Sequence, residues 1–197
     1  HDLRTLTTGR LRLACLPALA HALVPQALVQ FGQALPEASV SVVPLESPWL
    51  EQAVSEQRFD LALSETTEPP TGVALRPLLH VNEVAVLPVG HRLRSKRVLT
   101  PQDFAGERFV SLAEADPYRQ AIDAMFAEAD VQRATQLETT SAVAVCAMVQ
   151  QGLGVAIVNP LTAAAMAGPQ LVVRPLSVAI PFSVSLLLPL VAAPHPL

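Results

Sequence analysis

The sequence predicts an α/β fold of two lobes joined by two crossover strands, and three observations lead there. From Leu11 to Ser64, short apolar runs alternate with segments of helical spacing in the order β-α-β-α-β. A Pro69-Pro70-Thr71-Gly72 turn closes that set, and a second alternating set follows. The last two strands have no helix between them, so the chain is expected to return to its first lobe. The crossovers are expected near Asn82 to Val84 and near Asn159 to Leu161, giving a first lobe of residues 9–82 with 161–197 and a second of 83–160. Such an arrangement places a cleft at the carboxyl ends of strands, where open α/β sheets bind small ligands.

Leu11 to Leu16 reads as the first strand. Pro17 to Ala34 then spaces Leu19, Leu23, Leu28, Phe31 and Leu35 at helical intervals, with Pro25 dividing a short first turn from the main helix. Val40 to Leu45 is the second strand, and Ser47-Pro48 is expected to cap a helix over Trp49 to Gln57. Phe59 to Ser64 is the third strand. These nearly continuous apolar strands point to a parallel sheet covered by helices.

After the turn, Val73 to His80 and Glu83 to Pro88 read as strands and Thr100-Pro101-Gln102-Asp103 as a capped short helix. Arg108 to Leu112 is a strand, and Tyr118 to Ala129 a helix with Ile122, Met125 and Phe126 on one face. Thr135 to Glu138 is a strand, after which Thr139 or Thr140 is expected to cap a helix from Ser141 to Gln151 that ends at Gly152. Val155 to Asn159 is a buried strand. A short Ala-rich helix follows Pro160, then the strands Leu171 to Leu176 and Pro181 to Leu188.

Composition fits that picture. Of the 197 residues 51% are apolar and 15% charged, against roughly 25% charged in an average soluble domain. Disorder is excluded by that balance. The longest apolar run, near Val184 to Ala193, is shorter than the roughly 20 residues of a membrane span and contains Pro189. A net charge of −4 argues against this chain gripping nucleic acid by itself, since phosphate binding draws on clustered Lys and Arg. So few charges also imply that something other than solvent covers part of the surface. Cys15 and Cys146, each in an apolar context, read as core thiols rather than a redox pair. The N-terminus has neither an initiator Met nor a basic segment followed by an apolar one, so the chain reads as a piece of a larger protein that begins inside a linker.

The sequence carries no catalytic or metal motif: no Gly-x-Ser-x-Gly elbow, no P-loop and no His-Glu-x-x-His, and its five histidines are scattered. Gly152-Leu153-Gly154 begins like a dinucleotide fingerprint but follows a helix and precedes a strand, so it reads as a helix end. What remains are polar residues at strand ends facing helix starts. Glu46-Ser47-Pro48, Ser64-Glu65-Thr66 and Glu138-Thr139-Thr140-Ser141 recur at corresponding points of both lobes. Each alone is an ordinary cap or turn; together they read as a small-molecule site. Asp116-Pro117-Tyr118-Arg119 adds a guanidinium that either clamps a carboxylate or pairs with Asp116 or Asp123.

Several longer stretches resemble the effector-binding domain of LysR-type transcriptional regulators. They are the opening Gly9-Arg10-Leu11-Arg12-Leu13, Leu23-Val24-Pro25, Phe59-Asp60-Leu61-Ala62-Leu63, Leu87 to Leu93, Leu99 to Phe104, and Val149 to Val158. The likeness runs from about Gly9 to about Leu188. Within the family the chain resembles regulators of lysine biosynthesis, on Glu46-Ser47-Pro48, Ser64-Glu65-Thr66, Tyr118-Arg119-Gln120, Ser141 to Met148, Asn159 to Thr162 and Ile180 to Leu186.

That resemblance implies a periplasmic-binding-protein-like fold of type 2, a cytoplasmic protein with no cofactor, and an antiparallel homodimer that is a tetramer at full length. It implies that DNA is contacted only through an N-terminal winged helix-turn-helix outside this chain, with residues 1–8 as the end of a linker helix. The family continues past its last strand with a further helix, which is expected to be short or missing here. The implied effector is diaminopimelate, opposed by lysine, in the cleft between the lobes. The implied contacts are Ala18, Glu46, Ser47, Pro48, Ser64, Glu65 and Thr66 from the first lobe and Tyr118, Arg119, Glu138, Thr139, Thr140, Ser141 and Asn159 from the second. Acids at Glu46, Glu65, Asp116 and Glu138 would meet the two ammonium groups; Arg119 and the helix starts at Ser47 and at Thr139 to Ser141 would meet the two carboxylates. The alternative on the same scaffold is a solute-binding protein of a transport system.

Overall fold

The computed structural model describes residues 10–190. The expected linker over residues 1–8 and the stretch after Leu190, where a further helix was in question, lie outside the described residues. In chain order the elements are β1 (Arg10–Cys15), α1 (Pro17–Ala22), α2 (Val24–Ala34), β2 (Ser39–Pro44), α3 (Trp49–Ser55), β3 (Leu61–Ser64), β4 (Val73–Asn82) and β5 (Val84–Pro88). Two 3₁₀ turns, Arg92–Ser95 and Pro101–Phe104, precede β6 (Arg108–Leu112), α4 (Pro117–Glu128), β7 (Ala134–Thr139), α5 (Ala142–Gln150), β8 (Ala156–Val158), α6 (Pro160–Ala165), β9 (Leu171–Pro175) and β10 (Pro181–Pro189). No helix among the described residues is long and apolar enough to cross a membrane.

The described residues divide into two compact units, one of residues 10–80 together with 183–190, the other of residues 81–182. In the first unit the sheet order is β2-β1-β3-β10-β4. β1 runs parallel to both β2 and β3, in the register Cys15 opposite Pro44 and opposite Leu63, while β10 is antiparallel to β3. The fully buried side chains that hold it include Leu19 from α1, Leu50 and Val54 from α3, and Ala14 and Ala62 from the sheet. The expected break between the first two helices falls at Leu23, with Pro25 in the first turn of α2, where a missing N–H is harmless. α2 buries Val24, half-buries Leu28 and Phe31, and leaves Val29 62% exposed.

In the second unit β6 and β7 are parallel, and an isolated parallel bridge joins Phe109 to Val155 at the head of β8. Gly154 lets β8 approach: a Cβ there would stand 2.6 Å from the Arg108 carbonyl oxygen. One core cluster is built on Phe104, Phe109 and Phe126, whose rings meet edge to face at 5.5–6.1 Å, with the Arg133 guanidinium 4.5 and 4.7 Å above Phe126 and Phe109. The other lies under α5, around Val145, Cys146 and Val149.

Three expectations are corrected. The second crossover is not at Asn159 to Leu161: β9 pairs antiparallel with β5 over Leu171 to Pro175, and α6 packs on β5, so the chain stays in the second unit to Phe182. The sheets are mixed rather than wholly parallel, because β10 is antiparallel to β3 and β5 is antiparallel to β8 and β9. Finally, the caps shift. Ser47 does not cap α3, whose N-cap position is Pro48 with no side-chain bond. α5 is capped by Ser141, which accepts from the Ala144 amide at 3.3 Å, rather than by Thr139 or Thr140.

Candidate functional site

Parallel pairing gathers the expected residues of the first unit. β1, β2 and β3 share a direction, so Ala18, Glu46 to Pro48 and Ser64 to Thr66 all follow carboxyl ends at one edge of the sheet. Two backbone bonds fix that edge, from the Leu45 amide to the Cys15 carbonyl (2.9 Å) and from the Leu16 amide to the Leu63 carbonyl (3.2 Å). Ala18 is half-buried on α1, Glu46, Ser47 and Pro48 are exposed, Ser64 is buried, and Glu65 and Thr66 lie between those extremes.

The residue that ties this edge together was missed by the sequence reading. Glu51, on α3, accepts from the Ser47 hydroxyl at 2.8 Å and from the Ser64 hydroxyl at 2.5 Å, both on Oε1. Ser64 Oγ in turn accepts from the Thr66 amide at 3.1 Å. The other Glu51 oxygen, Oε2, is buried with no hydrogen-bond partner among the described residues. A signal was present, since Ser47 and Glu51 are four residues apart, the spacing at which side chains meet along a helical turn. Ser64 is thirteen positions further on, and only the fold brings it in.

The second unit repeats the design. β6 and β7 are parallel, so the Leu112 and Thr139 ends lie side by side, and Asn159 follows the end of β8. Asp116 caps α4, accepting from the Tyr118 and Arg119 amides at 2.8 and 3.2 Å. Tyr118 packs its ring 5.6 Å from that of Phe182. Arg119, its side chain 12% exposed, is engaged: Nε donates to Asp123 at 2.8 Å, and Nη1 donates to Glu138 at 2.7 Å and to the Leu112 carbonyl at 2.9 Å. Nη2 makes no hydrogen bond among the described residues. Burial works against the Arg119 charge, but the bonds and charges of Glu138 and Asp123 outweigh it and raise its pKa.

Glu138, half-exposed, thus meets Arg119 across the two strand ends. Thr139 Oγ1 accepts from the Ser141 amide at 3.3 Å, Thr140 is exposed, and the buried Asn159 caps α6 by accepting from the Thr162 amide at 2.8 Å. The Ser111 hydroxyl, on β6 opposite Glu138, is buried without a hydrogen-bond partner among the described residues and was not anticipated.

Neither cavity coincides with these residues. In the first unit a cavity of about 230 Å³ is lined by Thr67, Leu75, Leu79, His80, Ser183 and Ser185; it adjoins the strand ends through Ser185, which stands opposite Ser64 in the β10–β3 register. His80 Nδ1 and Ser183 Oγ are 2.8 Å apart there, but no carboxylate holds the imidazole among the described residues, so a nucleophile–base–acid set is not assembled. In the second unit an open groove of about 600 Å³ runs along α4 beside residues 177–181 and contains none of the expected contacts. The recognition chemistry, not the larger volume, marks the site. Among the described residues no group of three His, Cys, Asp or Glu is placed to hold a metal.

Comparison with known proteins identifies the family and the fold. The family model described as the LysR substrate binding domain matches residues 4–196. The chain is 49% identical over 189 residues to the transcriptional activator protein LysR of Escherichia coli strain K12, covering 96% of this chain and 61% of that protein. Its fold is similar to that of HinK, a LysR family transcriptional regulator of Pseudomonas aeruginosa, with a TM-score of 0.78 at 23% identity over 97% of this chain and 67% of that one. It is likewise similar to the regulatory domain of CcmR from Synechocystis PCC6803, solved in complex with 2-PG, with a TM-score of 0.75 at 20% identity over 91% of this chain and 86% of that one.

Proposed function

The chain belongs to the LysR substrate-binding-domain family, and on that premise we propose that it senses diaminopimelate, opposed by lysine, for a transcriptional regulator of lysine biosynthesis. The observation that carries the reading is the 49% identity to the E. coli activator over 96% of this chain. Because the chain spans 61% of that relative's length, the regulator's DNA-binding head, a winged helix-turn-helix ahead of this domain, and its tetrameric full-length state are part of the proposal. So are its cytoplasmic location and a homodimer of this domain.

The strand-end residues supply the recognition chemistry: Ala18, Glu46 to Pro48 and Ser64 to Thr66 in the first unit, and Tyr118, Arg119, Glu138 to Ser141 and Asn159 in the second. Diaminopimelate carries two ammonium and two carboxylate groups. Arg119 Nη2 and the Ser141 cap of α5 are donors suited to a carboxylate, and Glu138 is an acceptor suited to an ammonium. Lysine lacks one carboxylate. Leaving a carboxylate receptor unpaired costs about 1–3 kcal/mol, which corresponds to discrimination of about tenfold or more.

A thermal-shift panel of diaminopimelate isomers, lysine, arginine and opine-like amino acids tests the reading. Ligand that binds only the folded state raises Tm with concentration, so diaminopimelate is expected to give the largest shift. A panel in which diaminopimelate leaves Tm unchanged contradicts the proposal.

A further inference from the structure

We propose that Glu51 sets the charge preference of the first unit's half-site, making it a receptor for an ammonium group rather than for a carboxylate. The proposal rests on the reading that Ser47 and Ser64 belong to the ligand site, and it reverses the role that the sequence suggests for Ser47.

The argument is one of proton counting. A serine hydroxyl has a single proton to donate. Ser47 gives its proton to Glu51 Oε1 at 2.8 Å, and Ser64 gives its own to the same oxygen at 2.5 Å. Bonds to an ionised carboxylate are short and roughly twice as strong as neutral ones. Neither hydroxyl can then serve an incoming carboxylate without breaking such a bond. Ser64, which is buried, has its one donor spent on Glu51, while its oxygen accepts from the Thr66 amide at 3.1 Å. Ser47 is exposed and, with its proton given to Glu51, keeps its lone pairs as acceptors, so it offers an acceptor where the sequence suggests a donor.

The charge at hand is that of Glu51 itself. Among the described residues no Lys or Arg is bonded to Glu51; Arg12 pairs with Asp60 and Arg58 with Glu56. Glu51 Oε2, buried and without a hydrogen bond among the described residues, leaves the carboxylate charge under-compensated. A cation donating to Ser47 Oγ answers that charge, while an anion in the same place is repelled by it. Glu51 is thus a positioning residue: it orients the hydroxyls and supplies the field, and the ligand touches Ser47.

Two five-carbon probes of opposite charge read this directly: 1,5-diaminopentane and glutarate. Each is titrated to millimolar levels, at constant ionic strength, into the ¹⁵N-labelled protein and its Glu51→Gln and Ser47→Ala variants, following the Ser47, Ser64 and Thr66 amides and the neighbouring Trp49 indole. The diamine is expected to move these resonances saturably in the wild type and glutarate not to. Glu51→Gln, which keeps the acceptor oxygen but removes the charge, is expected to weaken the diamine about tenfold, and Ser47→Ala to weaken it as well. Saturable glutarate shifts at these residues, no diamine binding, or equal diamine affinity in Glu51→Gln would overturn the proposal. The wild-type preference alone decides the matter if a variant fails to fold. Should diaminopimelate not bind while the diamine does, the effector assignment fails and the ammonium subsite stands.

Discussion

Arg119 shows how a residue's type can be legible while its engagement is not. The sequence offers it either as a ligand clamp or as half of an ion pair with Asp116 or Asp123; in the fold it pairs with Asp123 and with Glu138, which another strand delivers. Its removal therefore has two expected effects. Arg119→Ala should cost about 1–2 kcal/mol of stability from the lost charged hydrogen bonds, discounted for the half-exposed acids, seen as a lower Tm. It should also erase the preference for diaminopimelate over lysine, and an unchanged preference by titration would show that Arg119 is structural only. The cysteines were legible outright. Cys15 and Cys146 are fully buried, and desolvation pushes their pKa values up to about 11 and about 12. Both are then protonated thiols at pH 8, and a disulfide-exchange reagent should label neither until the chain unfolds. Stoichiometric labelling of the native protein would contradict that.

At the level of elements, the sequence located nearly every strand and helix, because each apolar run has the period of its element and most starts carry a cap or a proline. Helix ends show what was hidden. α5 closes as the sequence predicts: Gly152, at φ 77°, donates to Val149, and Leu153 donates to Met148. α3 and α4 close by the same pair of bonds, yet the left-handed residues are Gln57 (φ 59°) and Asp130 (φ 50°). With no glycine to announce them, these ends were legible only to within a residue or two. A left-handed non-glycine costs about 1–2 kcal/mol, and glycine's extra unfolded-state entropy offsets part of it. Gln57→Gly should accordingly stabilise the fold by about 0.5–1 kcal/mol in denaturant melts; a destabilised variant would show that Gln57 makes a contact worth more than its strain. The misplaced crossover has a different cause. Leu171 to Pro175 is an apolar run that suits either unit, and its pairing with β5 is a tertiary choice that no local pattern records.

Across the whole molecule, a chain 51% apolar and 15% charged is met by two compact units with buried cores of their own. The candidate site follows the same logic of scale. That its residues gather at strand ends was legible because parallel strands must end at one edge, whereas the Glu51–Ser64 bond was not, since the two side chains meet only after folding. The central claim is that these strand-end residues recognise diaminopimelate and distinguish it from lysine. Isothermal titration of diaminopimelate into the protein, alone and in saturating lysine, tests it most directly. The expected result is saturable binding that lysine weakens competitively, with diaminopimelate the tighter ligand by about tenfold or more. Absence of diaminopimelate binding, or an affinity that saturating lysine leaves unchanged, would contradict it.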